Sequence, residues 1–286
     1  MSLAYHQPRT TTEALDLAGR LPEAEIIAGG TDLMVRMKKA SELPAALISL
    51  RRVEELTHIE DGRRVAIGAA VSLRDVAAHP AVAGTFPALV HAIRVFGSPQ
   101  IRNVATVGGN LCNASPGADC APPLLIYGAH VALASAEGTR EVAVEDFVLG
   151  PGETALRPGE ILTAILLERP PAGARSMYVR KGRVQMDLAV VGVAAMLEVD
   201  GATCSAARLA AGAVAPVPLR LVQTERVVGG AAADAETWTA ARAAAQGEIS
   251  PISDVRASEQ YRRHLTGVLV ERSLVELART TAGDPS

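Results

Sequence analysis

Aromatic residues are scarce in this chain: Phe, Trp and Tyr make up 3% of its 286 residues. A core short of rings must be built from Ala, Val, Leu and Ile, and a hydrophobic content of 49% supplies them. Cysteine is rarer still. Cys112, Cys120 and Cys204 form an odd, sparse set that excludes a disulfide framework. With no C-x-x-C pair and no fourth thiol they are poor material for zinc or an iron–sulfur cluster, and they read as buried, inert thiols. The six histidines are scattered singly without ligand spacing. No apolar run reaches the roughly 18 residues of a membrane-spanning helix. No basic segment followed by an apolar core opens the chain, so no secretory signal is expected. Its 28 basic and 31 acidic residues are mixed to a net charge of −3, which excludes a basic surface for nucleic acid. A cytoplasmic location is the expectation.

What is present alternates in type. "LAYH", "EAEIIAGG" and "AALISL" read as strands, separated by the helices "EALDLAGR", with Thr10 to Thr12 as N-caps, and "TDLMVRMKK". This β-α-β-α-β order predicts a small α/β subdomain over about 1–55. Asp61-Gly62 predicts a hairpin, Ser72 caps "LRDVAAHP", and a helix is expected to run on from Pro80 through "AVAGTFPALVHAIRVF". A second hairpin turns near Glu137-Gly138. Pro170, Pro171 and Gly173 mark a linker, dividing the chain into 1–174 and 175–286. The second part opens with two apolar strands around Asp200-Gly201 and closes with alanine-rich helices, an α+β pattern.

Two glycine loops are the candidate site. Ala28, Gly29, Gly30, Thr31, Asp32 and Leu33 lie between a predicted strand and a predicted helix. Thr106, Gly108, Gly109, Asn110, Asn113, Ser115 and Asp119 lie in "ATVGGNLCNASPGADCAPP". Glycine lets a ligand approach the backbone, and free amides at a helix start favour phosphate oxygens. Either loop alone is equally readable as a turn. Neither is G-x-G-x-x-G nor a P-loop, which argues against nicotinamide and triphosphate sites. A diphosphate needs donors from two sides, so the pair says more than either loop.

"AGGTDL" at 28–33 and "GSPQIRNVATVGGNLCNASPGAD" at 97–119 resemble the flavin-binding medium subunit of the molybdenum hydroxylases, the carbon monoxide and xanthine dehydrogenases among them. "LRPGEIL" at 156–162 and the stretch Arg183–Ala194 resemble it too. The resemblance implies an α+β fold: a vanillyl-alcohol-oxidase (PCMH) type FAD-binding domain, then a smaller α+β flavoprotein C-terminal domain. It implies FAD as cofactor. Gly29–Asp32 and Thr106–Asn110 would hold its diphosphate, with Ala28 and Leu33 beside them in the cofactor site, and Asn113, Ser115 and Asp119 the phosphate, ribose and adenine side. Phe96 and Leu162 would lie near the isoalloxazine ring, although both are equally readable as core. A basic residue near the ring falls among Arg180, Lys181 and Arg183, with Lys181 as the candidate. The implied partners are an iron–sulfur small subunit and a molybdopterin large subunit, with NAD, a quinone or oxygen as acceptor. No Ser-His-Asp set, H-E-x-x-H helix or metal-binding cluster is expected, because the redox chemistry belongs to the cofactor. Two alternatives stay open: a stand-alone flavin reductase or oxidase of this fold, and a scaffold that has lost flavin. Asp187 and Arg183, four residues apart, read as a structural pair.

Overall fold

In a computed structural model of the chain, residues 3–184 and 186–279 are described. Strands β1 (Ala4–His6), β2 (Ala24–Ile27) and β3 (Ala46–Ser49) form a parallel sheet in the order β1-β3-β2. Parallel neighbours require crossovers, and α1 (Thr11–Arg20) and α2 (Leu33–Lys39) provide them. Thr10 caps α1 by accepting from the Glu13 amide. The expected β-α-β-α-β order is what forms.

An antiparallel sheet follows, in the order β4-β5-β10-β6-β7. The Asp61-Gly62 turn joins β4 (Ile59–Asp61) to β5 (Arg64–Gly68). Ser72 caps α3 (Leu73–Ala78). The helix expected from Pro80 onward breaks in two, α4 (Pro80–Ala83) and α5 (Pro87–Val95). The cause is Pro87, which disfavours helical geometry at the residue before it: Phe86 sits at φ −125°, ψ 63°. Short helices α6 (Pro99–Arg102), α7 (Val107–Cys112) and α8 (Ala121–Ile126) carry the chain to the hairpin β6 (His130–Ser135) and β7 (Gly138–Ala143). Beyond it come α9 (Val144–Phe147), the two-stranded β8 (Val148–Gly150) and β9 (Glu153–Thr154), and β10 (Ile161–Glu168). Strand β10 occupies the middle of the sheet, with a bulge between Leu162 and Ala164.

The last sheet is antiparallel, in the order β11-β12-β13-β14: β11 (Arg175–Lys181), β12 (Val191–Asp200), β13 (Thr203–Gly212) and β14 (Leu219–Arg220). Helices α10 (Val222–Val228), α11 (Ala235–Gly247) and α12 (Glu259–Arg279) follow among the described residues. Strand side chains alternate between faces, and β12 shows it. Val191, Val193, Ala195 and Leu197 bury into a core with Trp238, Ala241, Val270 and Leu274 of the C-terminal helices. Ala194 and Met196, between them, join the larger core with α5 and α8. A strand covered on both faces reads as a continuous apolar run, as "VGVAAML" does. The larger core thus takes in residues from both sides of the Pro170–Gly173 linker. No helix among the described residues is long and apolar enough to cross a membrane.

A buried polar join stitches α5 and α8 to this sheet. The Tyr127 hydroxyl accepts from the Ala88 amide at 3.1 Å and lies 2.6 Å from the Ser176 hydroxyl of β11, with the Phe86 ring edge-on at 5.0 Å. Tyr127→Phe keeps the ring and strands both partners, so chemical denaturation should show a loss of roughly 1–3 kcal/mol. A change below a few tenths would show that the hydroxyl is not needed there.

Candidate functional site

The chain leaves β2 at Ile27 and turns at Gly30, whose φ of +73° is open to glycine and costly for other residues. Gly29, beside it, is constrained by space: a Cβ there would lie 2.0 Å from the Val104 carbonyl oxygen and 2.9 Å from Ala105 Cα. The first loop is therefore pressed, backbone against backbone, onto the start of the second. Among the described residues, the amides of Gly29, Gly30, Thr31, Asp32 and Leu33 find no acceptor within the chain. Asp32 stands at the N-cap of α2 without capping it. The result is a run of unspent donors.

The second loop is fixed more tightly. Thr106 caps α7, its hydroxyl accepting from the Gly109 amide at 2.9 Å while its carbonyl takes the Asn110 amide. Gly108 sits against Ala69, with 2.7 Å from its would-be Cβ to the Ala69 carbonyl oxygen. Asn110 is buried, yet its side-chain oxygen has no partner. A buried acceptor without a donor costs about 1–3 kcal/mol unless a ligand satisfies it.

Between the loops lies a cavity of about 320 Å³. It is lined by Ala28, Gly29, Gly30, Thr31, Asp32 and Leu33 on one side and by Thr106, Gly108, Gly109, Asn110 and Asn113 on the other. Phe96, Leu156 and Leu162 supply apolar wall. Unspent amides, an orphaned Asn110 oxygen and flat apolar walls suit an extended ligand with an anionic middle and aromatic ends, and FAD is of that kind.

Three of the sequence candidates do not line this cavity. The Ser115 hydroxyl accepts from the Gly117 amide at 3.3 Å, inside its own turn. Asp119 is 4% exposed, and both of its oxygens are taken: Tyr178 donates at 2.6 Å and Arg180 at 3.1 Å. Burial pushes this carboxyl up, against the Arg180 charge that pulls it down. Asp119 so ties the second loop to β11. Lys181 lies exposed at the end of β11; Arg180 is ion-paired with Asp119 and Arg183 with Asp187, whereas Lys181 is in no ion pair among the described residues.

The cavity also has walls that the sequence reading missed. Glu25 and Arg36 line it and pair at 3.4 Å. Cys112 lines it as well, its thiol pushed up to about 12 by burial, and stays protonated and inert. Glu160 lines it from "LRPGEIL". The signal for Glu160 was its place inside "LRPGEIL", immediately before β10 and two residues before Leu162.

The contact at Gly29 is directly testable. Gly29→Ala drives a methyl group into Val104 and should cost at least ~2 kcal/mol in thermal or denaturant unfolding. Gly19→Ala, a control in α1 with nothing within 4 Å of the new methyl, should be neutral or stabilising by up to ~1 kcal/mol. Equal outcomes for the two would remove the loop-to-loop contact from the account.

Comparison with known proteins fits this architecture. Residues 1–169 match the family "FAD binding domain in molybdopterin dehydrogenase", and 176–277 match "CO dehydrogenase flavoprotein C-terminal domain". The xanthine dehydrogenase FAD-binding subunit of Escherichia coli O157:H7 is 32% identical, covering 98% of this chain and 97% of its own. The carbon monoxide dehydrogenase medium chain of Afipia carboxidovorans is 34% identical, covering 98% of both. Among solved structures, a Cu,Mo-CO dehydrogenase aligns with a TM-score of 0.93 at 33% identity over 98% of each chain. Quinoline 2-oxidoreductase from Pseudomonas putida 86 aligns at 0.94 with 28% identity over 99% of each. With both of its parts matched and its whole length shared, this chain belongs to the FAD-binding medium subunits of the carbon monoxide and xanthine dehydrogenase family.

Proposed function

We propose that the chain is the electron-transfer subunit of a molybdenum hydroxylase complex. It would take electrons from an iron–sulfur subunit, itself served by a molybdopterin subunit, and pass them to NAD, a quinone or oxygen. When bound, FAD supplies the redox chemistry; the chain's part is to hold, orient and enclose it. The single observation that carries this reading is the convergence of the two glycine loops on one cavity. Gly29 to Leu33 would donate amides to the diphosphate from one side, with Ala28 leading into the loop, Thr106, Gly108 and Gly109 shaping the other side and Asn110 accepting a ligand donor. Phe96 and Leu162 would flank the apolar rings. Asn113 borders the same space, while Ser115 and Asp119 would support the second loop from behind.

The cavity's acids favour electron transfer over a self-contained oxidase. A stand-alone enzyme needs a group free to move a proton to or from its own substrate. Glu160 is bound to Arg140, Glu25 pairs with Arg36, and the Cys112 thiol is held protonated. No lining acid is both buried and free.

Two experiments test the proposal. Co-purified with the products of its neighbouring genes, the chain should carry a yellow chromophore that bleaches when the complex receives its substrate. If the chain purified alone turns over a small substrate unaided, the electron-transfer role is wrong. Gly30→Val combined with Gly109→Val places branched side chains in the cradle. The variant should purify folded by circular dichroism but nearly free of flavin; full flavin content would remove the two loops from the binding site.

A further inference from the structure

The cavity wall contains one deeply buried acid. Glu160 has a side chain 7% exposed, and it stands in the lining of a space suited to an anionic ligand. A buried carboxylate there would repel a diphosphate and would itself be poorly solvated. The structure answers this from outside the cavity. Arg140, on β7 and not part of the lining, meets Glu160 with two parallel hydrogen bonds, Nε to Oε1 and Nη2 to Oε2, both 2.7 Å. The same Nη2 donates to the Ala155 carbonyl at 2.7 Å, and the Arg157 amide donates to Glu160 Oε2 at 2.7 Å. This two-pronged geometry is the strong form of the arginine–carboxylate pair.

We propose that Arg140 is a positioning residue for the cofactor, acting through Glu160: it cancels the wall's negative charge and holds the 155–162 segment in place, so that an anionic dinucleotide is accepted. The inference rests on the FAD reading of the cavity. Hydrogen bonding to Arg140, followed by the Arg157 amide, holds the Glu160 carboxyl down at about 2. It is therefore ionised throughout the working range, and its charge must be cancelled rather than titrated away. The charged groups facing it are Arg140, Arg157 and, from the β6–β7 turn, Glu137. Elsewhere in the lining stand Glu25, Asp32 and Arg36.

The test is FAD titration of the flavin-free full chain, followed by quenching of flavin fluorescence, for wild type, R140Q, R140K and R140Q/E160Q. Removing the guanidinium should weaken binding roughly tenfold at pH 7, as one uncompensated charge near a phosphate predicts. R140K, which keeps the charge but not the fork, should lose less. Adding E160Q to R140Q should recover most of the loss, a rescue that a merely structural clamp would not show. In R140Q the freed carboxyl rises towards the ordinary value of about 4.3, so the deficit should shrink as the pH falls from about 5 towards about 4, with no matching gain in wild type. Wild-type affinity in R140Q, or a double variant no better than R140Q, would overturn the proposal. Should R140Q not fold, R140K against R140K/E160Q makes the same comparison and is read the same way. Failure of the wild-type chain itself to bind FAD would instead refute the cofactor reading on which this rests.

Discussion

The site depends on one contact between two stretches of backbone. Gly29 lies so close to Val104 and Ala105 that no side chain fits between them. That contact joins the end of a parallel strand to a loop more than seventy residues downstream, and it places the unspent amides of 29–33 across a cavity from Asn110. Gly108 repeats the device against Ala69, seating the second loop on the segment that follows β5. A buried polar group left unsatisfied in a folded chain is costly, and the Asn110 oxygen, in the wall of this cavity, is one.

The rest of the molecule fixes that geometry from behind. Asp119, Tyr178 and Arg180 form a buried link between the second loop and β11, and Tyr127 with Ser176 forms another nearby. Strand β12 offers one face to the C-terminal helices and the other to α5 and α8. The C-terminal sheet thus forms part of the support of the second glycine loop. Charge follows the same plan in part: Glu25 and Glu160 in the cavity wall are paired with Arg36 and Arg140, whereas Asp32 is in no ion pair among the described residues.

Much of this was legible in the residues. Asp61-Gly62 and Asp200-Gly201 announced their hairpins, Thr10 and Ser72 their caps, and the two glycine loops stood out because Gly, Asn and Thr cluster there before an apolar run. Where the reading failed, a rule was available but outweighed. The apolar pattern from Pro80 to Phe96 suggested one helix, yet Pro87 overrode it through its steric demand on Phe86. The strand Arg175–Lys181 precedes the two apolar strands expected to open the second part; it mixes charged and apolar residues because both of its faces meet packed neighbours and Arg180 is in a buried ion pair. Asp119 belongs to a strong motif, but its oxygens are claimed by residues some sixty positions away.

By itself the sequence determined the local events: which segments are strands or helices, where they turn, and which loops carry glycine where a side chain could not be tolerated. These follow from φ/ψ freedom, side-chain period and capping, all of which act over a few residues. Only the tertiary structure decided which groups meet. That Gly29 touches Val104, that Arg140 neutralises Glu160 across twenty residues, and that Asp119 turns to Arg180 rather than to the cavity are outcomes of packing. The physical reason is that hydrogen bonds and ion pairs are settled by distance in space, and sheet pairing sets that distance between positions far apart along the chain.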